Sequence, residues 1–532
     1  MKLFPAMRFY QIIPTWIPIF LLIFSSCRER SDQVNKNYPK ASALAGDALA
    51  IQHCASCHAF VPPAMLTRQI WQDDVLPSMG HRLGIYQGAH QPDSLFDKDI
   101  GGKIVRDANI YPEQPLIAEE DWEKIKKYYL EHAPESIPEP TRTEKITIGL
   151  NQFNVLASEF SHRPPLTSMI KILENNQGFV LGDGKRDFSN LTFFNQNTAQ
   201  DFNTKLKTSP IHFHQKADTI YLTTVGKSLY PHDAPDGNIL KLFRKEVGGP
   251  YRSAKVLIDD LQRPVHVSYG DLDDDGLEDL VVCEYGNLTG KLSWFRNLGN
   301  RYQKQILKEK PGAIKSELID FNGDGLTDIL VLMAQGDEGL FWFRNQGGGS
   351  FEEVRLLSFL PLYGSQYFEL HDFDSDGDLD ILYVCGDNAD QTPILKAYHG
   401  IYIYLNDGNN QFEQKFFYQL NGAYKAMACD YDLDGDLDIA AISFFPDYAR
   451  YPEESFVYLE NLGEWQYQDY SFENASQGRW IVMDAEDMDA DGDVDIALGS
   501  FVAFIAAGDT TGLGQRWIRQ GPSMVVLENT VR

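Results

Sequence analysis

The stretch Asp271-Leu272-Asp273-Asp274-Asp275-Gly276-Leu277-Glu278-Asp279 decides the fold of this chain. Its pattern, Asp-x-(Asp/Asn)-x-Asp-Gly-x-x-Asp, occurs five times in the 532 residues, starting at Asp271, Asp320, Asp372, Asp430 and Asp487. Successive copies are 49, 52, 58 and 57 residues apart. A motif that recurs at such a period indicates a repeat architecture.

The side chains of each loop are spaced to hold a hard cation. Oxygens at alternate positions of a tight turn converge on one point, and a Gly after the third ligand permits the bend. Acidic turns without metal are the alternative, but three or four carboxylates this close repel strongly unless a cation neutralises them. We therefore predict about five Ca²⁺ ions, one per loop. The predicted ligands are Asp271, Asp273, Asp275, Asp279, Asp320, Asn322, Asp324, Asp328, Asp372, Asp374, Asp376, Asp380, Asp430, Asp432, Asp434, Asp438, Asp487, Asp489, Asp491 and Asp495.

The loops join strands and not the helices of an EF-hand. An EF-hand needs Glu at position 12 of its loop, where this chain has only apolar residues or Tyr. Strand-like runs such as Leu280-Val281-Val282 follow the loops. A second recurrent piece, Trp294-Phe295-Arg296-Asn297 in the first copy, lies next along the chain and is followed by Gly299. Four strands per roughly 50 residues indicate one propeller blade.

These loops and this strand order resemble the FG-GAP/VCBS repeat family, the integrin-type β-propeller with calcium in the hairpin between the first two strands of a blade. Residues 166–208 and 209–260 show the same strand rhythm with short turns in place of the acidic loop. Two such blades and five acidic ones predict a seven-bladed all-β propeller over residues 145–532. The last repeat stops after its third strand, so we expect residues 153–156 to supply the fourth and close the ring.

A different motif lies near the N-terminus, at Cys54-Ala55-Ser56-Cys57-His58. Two thiols three residues apart can form thioethers to the two vinyl groups of haem, and the adjacent His58 then becomes the proximal iron ligand. A redox pair or half of a zinc site are the alternatives, but no second CxxC exists to complete a zinc site. The motif predicts one covalent haem c.

The flanks of this motif are helix-forming. Residues 43–50 lead into it, and Asp121 to His132 places Trp122, Ile125 and Tyr129 on one helical face. This arrangement resembles a class I cytochrome c, which implies a small all-α domain at 42–137, followed by a Pro-rich linker at 138–144. As sixth iron ligand we favour Met79, expected in a Pro/Gly loop, with His81, His90 or an open or bis-His iron as alternatives.

The first 27 residues are predicted to be a lipoprotein signal peptide. Lys2 and Arg8 precede a short apolar run, and the segment ends in Phe24-Ser25-Ser26-Cys27, which resembles a bacterial lipobox with Cys27 as the lipidated residue. An ordinary cleaved signal is the alternative. Residues 28–41 are polar and predict a tether. Either signal implies export, so we expect a lipid-anchored protein of the bacterial cell envelope, on its periplasmic side or at the cell surface.

The net charge of −29 is mostly local. The five loops hold 23 Asp and one Glu, and subtracting these 24 from the 76 acidic residues leaves 52, against 47 Lys and Arg. The acidity therefore belongs to the cation sites, and no nucleic-acid partner is expected. Of the other thiols, Cys283, Cys385 and Cys429 lie in apolar strand-like runs and are expected to be buried and free.

A polar side chain stands five to eight residues before the first Asp of each loop, in an otherwise apolar strand. These residues are His266, Lys315, Gln366, Lys425 and Arg479, to which His212 and His232 are added from the first two blades. Ring closure would gather them around one axis, opposite the acidic loops. A solvated channel lining is the alternative to an anion site. We expect an anionic ligand or an acidic partner, with the acidic helix from Glu119 to Glu131 of the haem domain as one candidate.

Three functions follow from these motifs. The first is an electron-transfer lipoprotein whose haem passes electrons to a redox partner protein and whose propeller binds a partner or ligand. The second is an oxidoreductase in which the propeller oxidises a small substrate and hands electrons to the haem, as in quinoprotein–cytochrome fusions, although no quinone-cofactor signature is present. The third is an adhesion or glycan-binding module in which haem is only a sensor. No catalytic residue is predicted.

Overall fold

A computed structural model describes residues 39–87, 92–142, 144–158, 160–173, 178–185, 188–244, 251–388, 394–503 and 511–531. The predicted signal peptide, its lipidation residue Cys27 and the alternative iron ligand His90 lie outside these ranges. Within them, no helix has both the length and the apolar character needed to cross a membrane.

The N-terminal part is a small helical domain. Its α-helices are α1 (Gly46–Cys54), α2 (Arg68–Ile70), α3 (Leu76–Arg82), α4 (Ile100–Asp107) and α5 (Glu119–His132), with a π-helical turn at Trp71–Val75 and short 3₁₀ turns at Pro63–Met65 and Pro92–Ser94. Helices α1 and α5 cross at Gly46, where a methyl group would stand 2.3 Å from the carbonyl oxygen of Lys124. Trp122, Ile125 and Tyr129 of α5 are buried, which confirms the predicted amphipathic helix.

The rest of the described chain forms seven sheets that are the blades of a β-propeller, as predicted. Blade 1 comprises Thr167–Ile172, Phe179–Asp183, Ser189–Phe194 and Gln200–Leu206; blade 2 comprises Pro210–Lys216, Thr219–Thr224, Gly237–Arg244 and Tyr251–Leu261. Blade 3 comprises Pro264–Gly270, Asp279–Glu284, Lys291–Asn297 and Tyr302–Lys308; blade 4 comprises Ala313–Ile319, Asp328–Met333, Gly339–Asn345 and Phe351–Ser358. Blade 5 comprises Ser365–His371, Asp380–Cys385, Gly400–Asn406 and Phe412–Gln419.

The last two blades also use the residues that follow the linker. Blade 6 comprises Ala423–Cys429, Asp438–Ser443, Phe456–Asn461 and Tyr467–Ser471, and blade 7 comprises Trp480–Glu486, Asp495–Ser500 and Met524–Asn529. Strand Phe153–Ala157 pairs antiparallel with Met524–Asn529 and completes blade 7, which confirms the predicted closure. Thr147–Ile148 adds a fifth, parallel strand to blade 6, which the sequence did not predict. Helix α6 (Leu513–Gln520) precedes the last strand.

The second strand of each acidic blade lies in the hydrophobic core. In all five acidic blades every residue of the second strand is buried, because both faces of that strand are covered by neighbouring blades. The innermost strand carries a bulge after its first residue in each blade, for example between Ala313 and Lys315. Cys283 and Cys385 are buried and free as expected, and Cys429 is free and half-buried.

The small domain lies on the propeller face opposite the acidic loops. A methyl group at Gly101 of α4 would stand 2.7 Å from the backbone nitrogen of Ala234, in a loop of blade 2. Two residues of blade 5 loops on the same face also pack against the core of the small domain. Leu362 lies just before the innermost strand, and Ile394 lies between the second and third strands. Blades 2 and 5 are three blades apart in a ring of seven, so a domain that contacts both straddles the channel axis.

The linker is fixed to blade 6 by an arginine. The Arg142 guanidinium contacts the carboxylates of Glu454 at 3.0 Å and Asp469 at 3.2 Å, and it donates to Gln419 O at 3.0 Å. Its side chain is 9% exposed and that of Glu454 is fully buried. A buried charge pair with additional hydrogen bonds holds its geometry, so Arg142 sets where the small domain leaves the propeller.

Candidate functional site

The acidic loops share one hydrogen-bonding scheme that shapes each turn. The first Asp accepts the backbone N–H of the motif glycine, at 2.8 Å from Gly276 to Asp271 and at 2.8 Å from Gly325 to Asp320. The glycine has φ of +80° or more in all five loops, from Gly276 at 80° to Gly435 at 103°. A side chain there would be strained, which explains the Gly after the third acid.

These turns bring carboxylates together as a cation site requires. Among the described residues, four clusters have carboxylate oxygens within 4.8 Å of one another, so they could hold a metal ion such as Ca²⁺. The clusters are Asp271, Asp273 and Asp279; Asp372, Asp374 and Asp380; Asp430, Asp432 and Asp434; and Asp487, Asp489 and Asp495. The loop at Asp320 does not form such a three-carboxylate cluster because Asn322 takes the place of its second acid.

Several buried oxygens in the loops lack a hydrogen-bond donor, which fits a cation-binding role. Both carboxylate oxygens of Asp493 and one each of Asp430 and Asp436 are buried with no such partner. Asp436 and Asp493 occupy position 7 of their loops and were not among the predicted ligands. Their position between two predicted ligands is a sequence signal that could have identified them as candidate ligands. In the first loop the guanidinium of Arg296 pairs with Asp273 and approaches Asp275 at 3.7 Å, so a cation there would share its carboxylates with an arginine.

The ninth residue of the motif has a second role that the sequence did not reveal. Asp279, Asp328, Asp380, Asp438 and Asp495 begin the second strands and are at most 1% exposed. One oxygen of each accepts the backbone N–H of an Asn that ends the third strand, at 2.6 Å from Asn297 and 2.8 Å from Asn461. Burial raises the pKa of Asp438 to about 7 and that of Asp495 to about 6. These aspartates therefore connect the acidic loop to its blade by a hydrogen bond, in addition to lying beside the other carboxylates of the loop.

The Cys-x-x-Cys-His motif lies at the end of α1. Cys54 is the last residue of the helix and is half-buried against the core of the small domain, while Cys57 is exposed and neither thiol is in a disulfide. His58 Nδ1 lies 2.8 Å from the carbonyl oxygen of Ala59, so Nδ1–H donates to that oxygen. Such an orienting bond on the second ring nitrogen is typical of metal-ligating histidines. The residues present therefore fit a covalently attached haem.

The structure corrects the surroundings expected for the sixth ligand. Met79 lies within helix α3, not in a loop, because Leu76 and Gly80 pack into the core and hold the turn helical. Met79 is partly buried against that core, as are Met65 and Leu83. The His81 ring stacks on Tyr86 with centroids 5.7 Å apart. Ligation by Met79 stays a prediction, with His81 as the described alternative.

Two positions of the predicted ligand face are wrong. The strand register places Tyr367 and Val482 where Lys315 and Lys425 stand in their own blades. Gln366 is instead buried at 8% exposure, and Arg479 is buried with its Nε donating to Phe444 O at 3.1 Å and its guanidinium 3.8 Å from the Phe444 ring. The bulge in each innermost strand shifts the register, so counting back from the first Asp did not identify equivalent positions.

The expected charges at this face are also partly offset within the propeller. Lys315 pairs with Glu317 of its own strand, whereas Lys425 donates to the carbonyl of Met483 at 2.8 Å. In α5, Lys124, Lys126 and Lys127 pair with Asp121, Glu123 and Glu131. Among the described residues, no ion pair joins that helix to Lys315 or Lys425. The small domain thus lies over the predicted face but is not held there by those charges. His232 lies 3.8 Å from Asp236 of its own loop.

Comparison with a family model agrees with the repeated loops. Residues 271–331 and 320–383 match the family model described as FG-GAP-like repeat. The chain is therefore a seven-bladed β-propeller protein with FG-GAP-like repeats and Asp clusters, preceded by a short helical region. No curated protein matches the sequence.

Three solved structures show the range of likeness. The Agrocybe aegerita lectin that recognises non-reducing terminal N-acetylglucosamine is 16% identical over 71% of this chain and all of its own, with a TM-score of 0.37. Sqt1 of Saccharomyces cerevisiae is 10% identical over 71% of this chain and 100% of its own, with a TM-score of 0.42. The periplasmic gluconolactonase of Pseudomonas aeruginosa is 11% identical over 57% and 85% of the two chains, with a TM-score of 0.38.

Proposed function

We propose that this protein is an exported electron-transfer protein that carries one haem c on its small domain and binds a partner or ligand through a calcium-loaded propeller. The observation that carries the haem is the combination of two free thiols, three residues apart, with an adjacent histidine whose Nδ1–H is already occupied by Ala59 O at 2.8 Å. Haem bound there would supply the one-electron chemistry, and the chain supplies its attachment and axial ligand.

The small domain offers further support for this role. Gly46 lets α1 and α5 cross closely, so the helix that carries Cys54 packs directly against α5. In the acidic loops, Ca²⁺ would provide the positive charge that the orphaned oxygens of Asp430, Asp436 and Asp493 lack. We further propose lipid anchoring through Cys27 in a bacterial envelope, on the residues of the lipobox.

The test is a spectrum of the protein produced in a host with a cytochrome c maturation system. We expect reduced c-type haem bands and haem that stays attached after denaturation. The variant Cys54→Ala with Cys57→Ala should lose attached haem, and Met79→Ala should remove the weak long-wavelength ferric band expected of Met/His ligation. Haem attached to the variant, or a wild-type protein without covalent haem, would refute the proposal.

One observation favours the oxidoreductase as a second candidate. The small domain straddles the axis on the face where the innermost strands begin, through contacts at Ala234, Leu362 and Ile394. A haem on this domain would therefore lie on the same side as that channel mouth. If a small substrate is oxidised in the propeller, adding it anaerobically should reduce the haem. Binding without reduction would leave the electron carrier as the function.

A further inference from the structure

A ring of side chains lines the central channel of the propeller, and one part of this ring is polar whereas the other part is apolar. Each innermost strand contributes one residue directly after its bulge. In blade order these residues are Met169, His212, His266, Lys315, Tyr367, Lys425 and Val482. Five neighbouring blades thus give a polar arc, and blades 7 and 1 give an apolar one.

Contacts between adjacent blades bring the polar side chains of this ring close to one another. The Lys315 and Lys425 ammonium groups lie 4.2 and 4.8 Å from the centre of the same Tyr367 ring, one from each neighbouring blade. The rings of His212 and His266 are 4.4 Å apart. Burial lowers the pKa of His212 to about 3, and the charges of His214, Lys171, Lys425 and Lys315 lower it further.

Most charges in the channel are paired, but that of Lys425 is not. Lys171 lies 3.0 Å from Asp484, Lys315 pairs with Glu317, and His371 lies 3.0 Å from Glu369. Lys425 donates to the Met483 carbonyl, and in the part of the chain that the structure describes no carboxylate oxygen lies within 4.0 Å of it. Burial lowers its pKa to about 8. Lys425 is partly buried, and the carboxylates of Asp484 and Glu369 raise its pKa from beyond ion-pair distance. Its charge is therefore offset without a direct ion pair, and a bound anion would supply one.

Two further polar groups at this end of the channel lack a full set of partners. His212 Nδ1 is buried and has no hydrogen-bond partner. Arg263, directly before the innermost strand of blade 3, donates to the carbonyls of Gly286 at 3.3 Å and Leu229 at 3.4 Å, and its Nε is buried without a partner. Arg263 has no carboxylate at ion-pair distance among the described residues. This end of the channel therefore holds two cationic side chains, Lys425 and Arg263, that have no direct ion pair, together with polar groups that are incompletely hydrogen-bonded.

We propose that this ring binds the carboxylate group of a small organic acid. Its oxygens would accept from Lys425 Nζ and from a ring nitrogen of His212, and its apolar part would face Val482 and Met169. The apolar arc is the reason to choose an organic acid over an inorganic oxyanion, because phosphate has no apolar side to bury. This inference rests on the proposed ligand-binding role of the propeller, and it is independent of the haem.

Calorimetry on the full-length, calcium-loaded protein tests the inference, with acetate, propionate and benzoate as probes and inorganic phosphate as the comparison. We expect saturable binding of at least one organic acid, tighter than that of phosphate. Lys425→Met and His212→Leu should each weaken it tenfold or more. Lys255→Met, which removes an exposed lysine of blade 2, should leave the affinity unchanged.

A stability measurement separates a ligand-binding lysine from a structural one. Without added acid, Lys425→Met should unfold at the same temperature as the wild type or higher, because it removes a partly buried charge that has no direct ion pair. No saturable binding of any probe, equal affinity in the Lys425 and His212 variants, or equal binding of phosphate would overturn the inference. Absence of covalent haem would refute the electron-transfer proposal and would not bear on these results.

Discussion

Asn345 donates its backbone N–H to Asp328 Oδ1 at 2.6 Å, and its side-chain amide reaches the carbonyl of Leu272 in the preceding blade at 2.9 Å. One residue at the end of the third strand thus joins the acidic loop of its own blade to the loop of the neighbour. Asn529 makes the corresponding bonds to Asp495 and to Tyr431 O, at 2.8 and 2.7 Å. The acidic loops of blades 4 and 7 are therefore each linked to the loop of the preceding blade.

Replacing Asp328 by Asn should destabilise the propeller whether or not calcium is present. The new amide would face backbone N–H donors of Phe321 and Asn345 with one acceptor in place of two, which leaves a buried donor unpaired. We expect a loss of about 1–3 kcal/mol in the free energy of unfolding. Denaturant unfolding in calcium and in chelator measures this, with Glu352→Gln on the exposed outer strand as the control. A loss seen only in calcium would make Asp328 a ligand without the structural role.

Chelation should lower the melting temperature of the propeller and leave the spectrum of the proposed haem nearly unchanged. The Asp clusters lie in the propeller, whereas the core of the small domain is a separate cluster against which, among the described propeller residues, Leu362 and Ile394 pack. Ligand binding to the folded state stabilises it by mass action, so removal of Ca²⁺ removes that stabilisation. Calorimetric melting with and without chelator, together with metal analysis, makes the measurement.

The clusters also predict how many ions bind tightly. Asp487→Ala with Asp489→Ala should remove one ion, because these residues belong to one cluster. Asn322→Asp should instead add a tight site at the loop where three carboxylates do not now converge. Native mass spectrometry would count the ions, and an unchanged count in both variants would contradict the assignment.

Stability should fall as pH rises from about 5 to 8 because of Glu338. This carboxyl group is 3% exposed, and burial raises its pKa from 4.5 to about 8 although Ser365 donates to it. The folded state therefore holds a proton that the unfolded state has lost across this range, so its contribution to stability is complete below pH 4.5 and is lost as pH approaches 8. The loss is on the order of 2–4 kcal/mol.

Glu338→Gln should remove this pH dependence, because an amide does not titrate. Urea unfolding at pH 5, 6, 7 and 8 in wild type and variant measures the difference between the two slopes. Glu352→Gln, at an exposed position, serves as the matched control. Parallel curves for wild type and Glu338→Gln would show that this residue does not titrate in the range.

Gly101→Leu should displace the small domain from the propeller. The backbone of Ala234 leaves no space for a side chain at this position of α4. Hydrogen exchange in residues 225–236 and proteolysis in the linker at 138–144 should both increase, while the propeller melting temperature changes little. Lys103→Leu, on the same helix but exposed, is the control. Unchanged exchange and proteolysis in Gly101→Leu would mean that the two parts do not pack through this helix in solution.

The sequence by itself determined the features whose cause is local. The acidic loops follow from alternating carboxylates and from a Gly that must adopt positive φ. Asp275 and Gly276 thus specify their turn without help from residues elsewhere in the chain. The number of blades followed from counting strands between these turns. Helix α5 followed from the spacing of Trp122, Ile125 and Tyr129, and the closing strand followed from an unfinished last blade that cannot leave an open edge.

Only the tertiary structure decided what depends on residues far apart in the chain. The bulges set which side chains share the channel ring, so Tyr367 and Val482 replaced Gln366 and Arg479 there. Packing of its neighbours places Met79 in a helix, and Arg142 forms an ion pair with Glu454, which lies 312 residues later in the sequence. A turn is fixed by the steric limits of its own few residues, whereas register and docking are fixed by packing and charge pairing that no local pattern encodes.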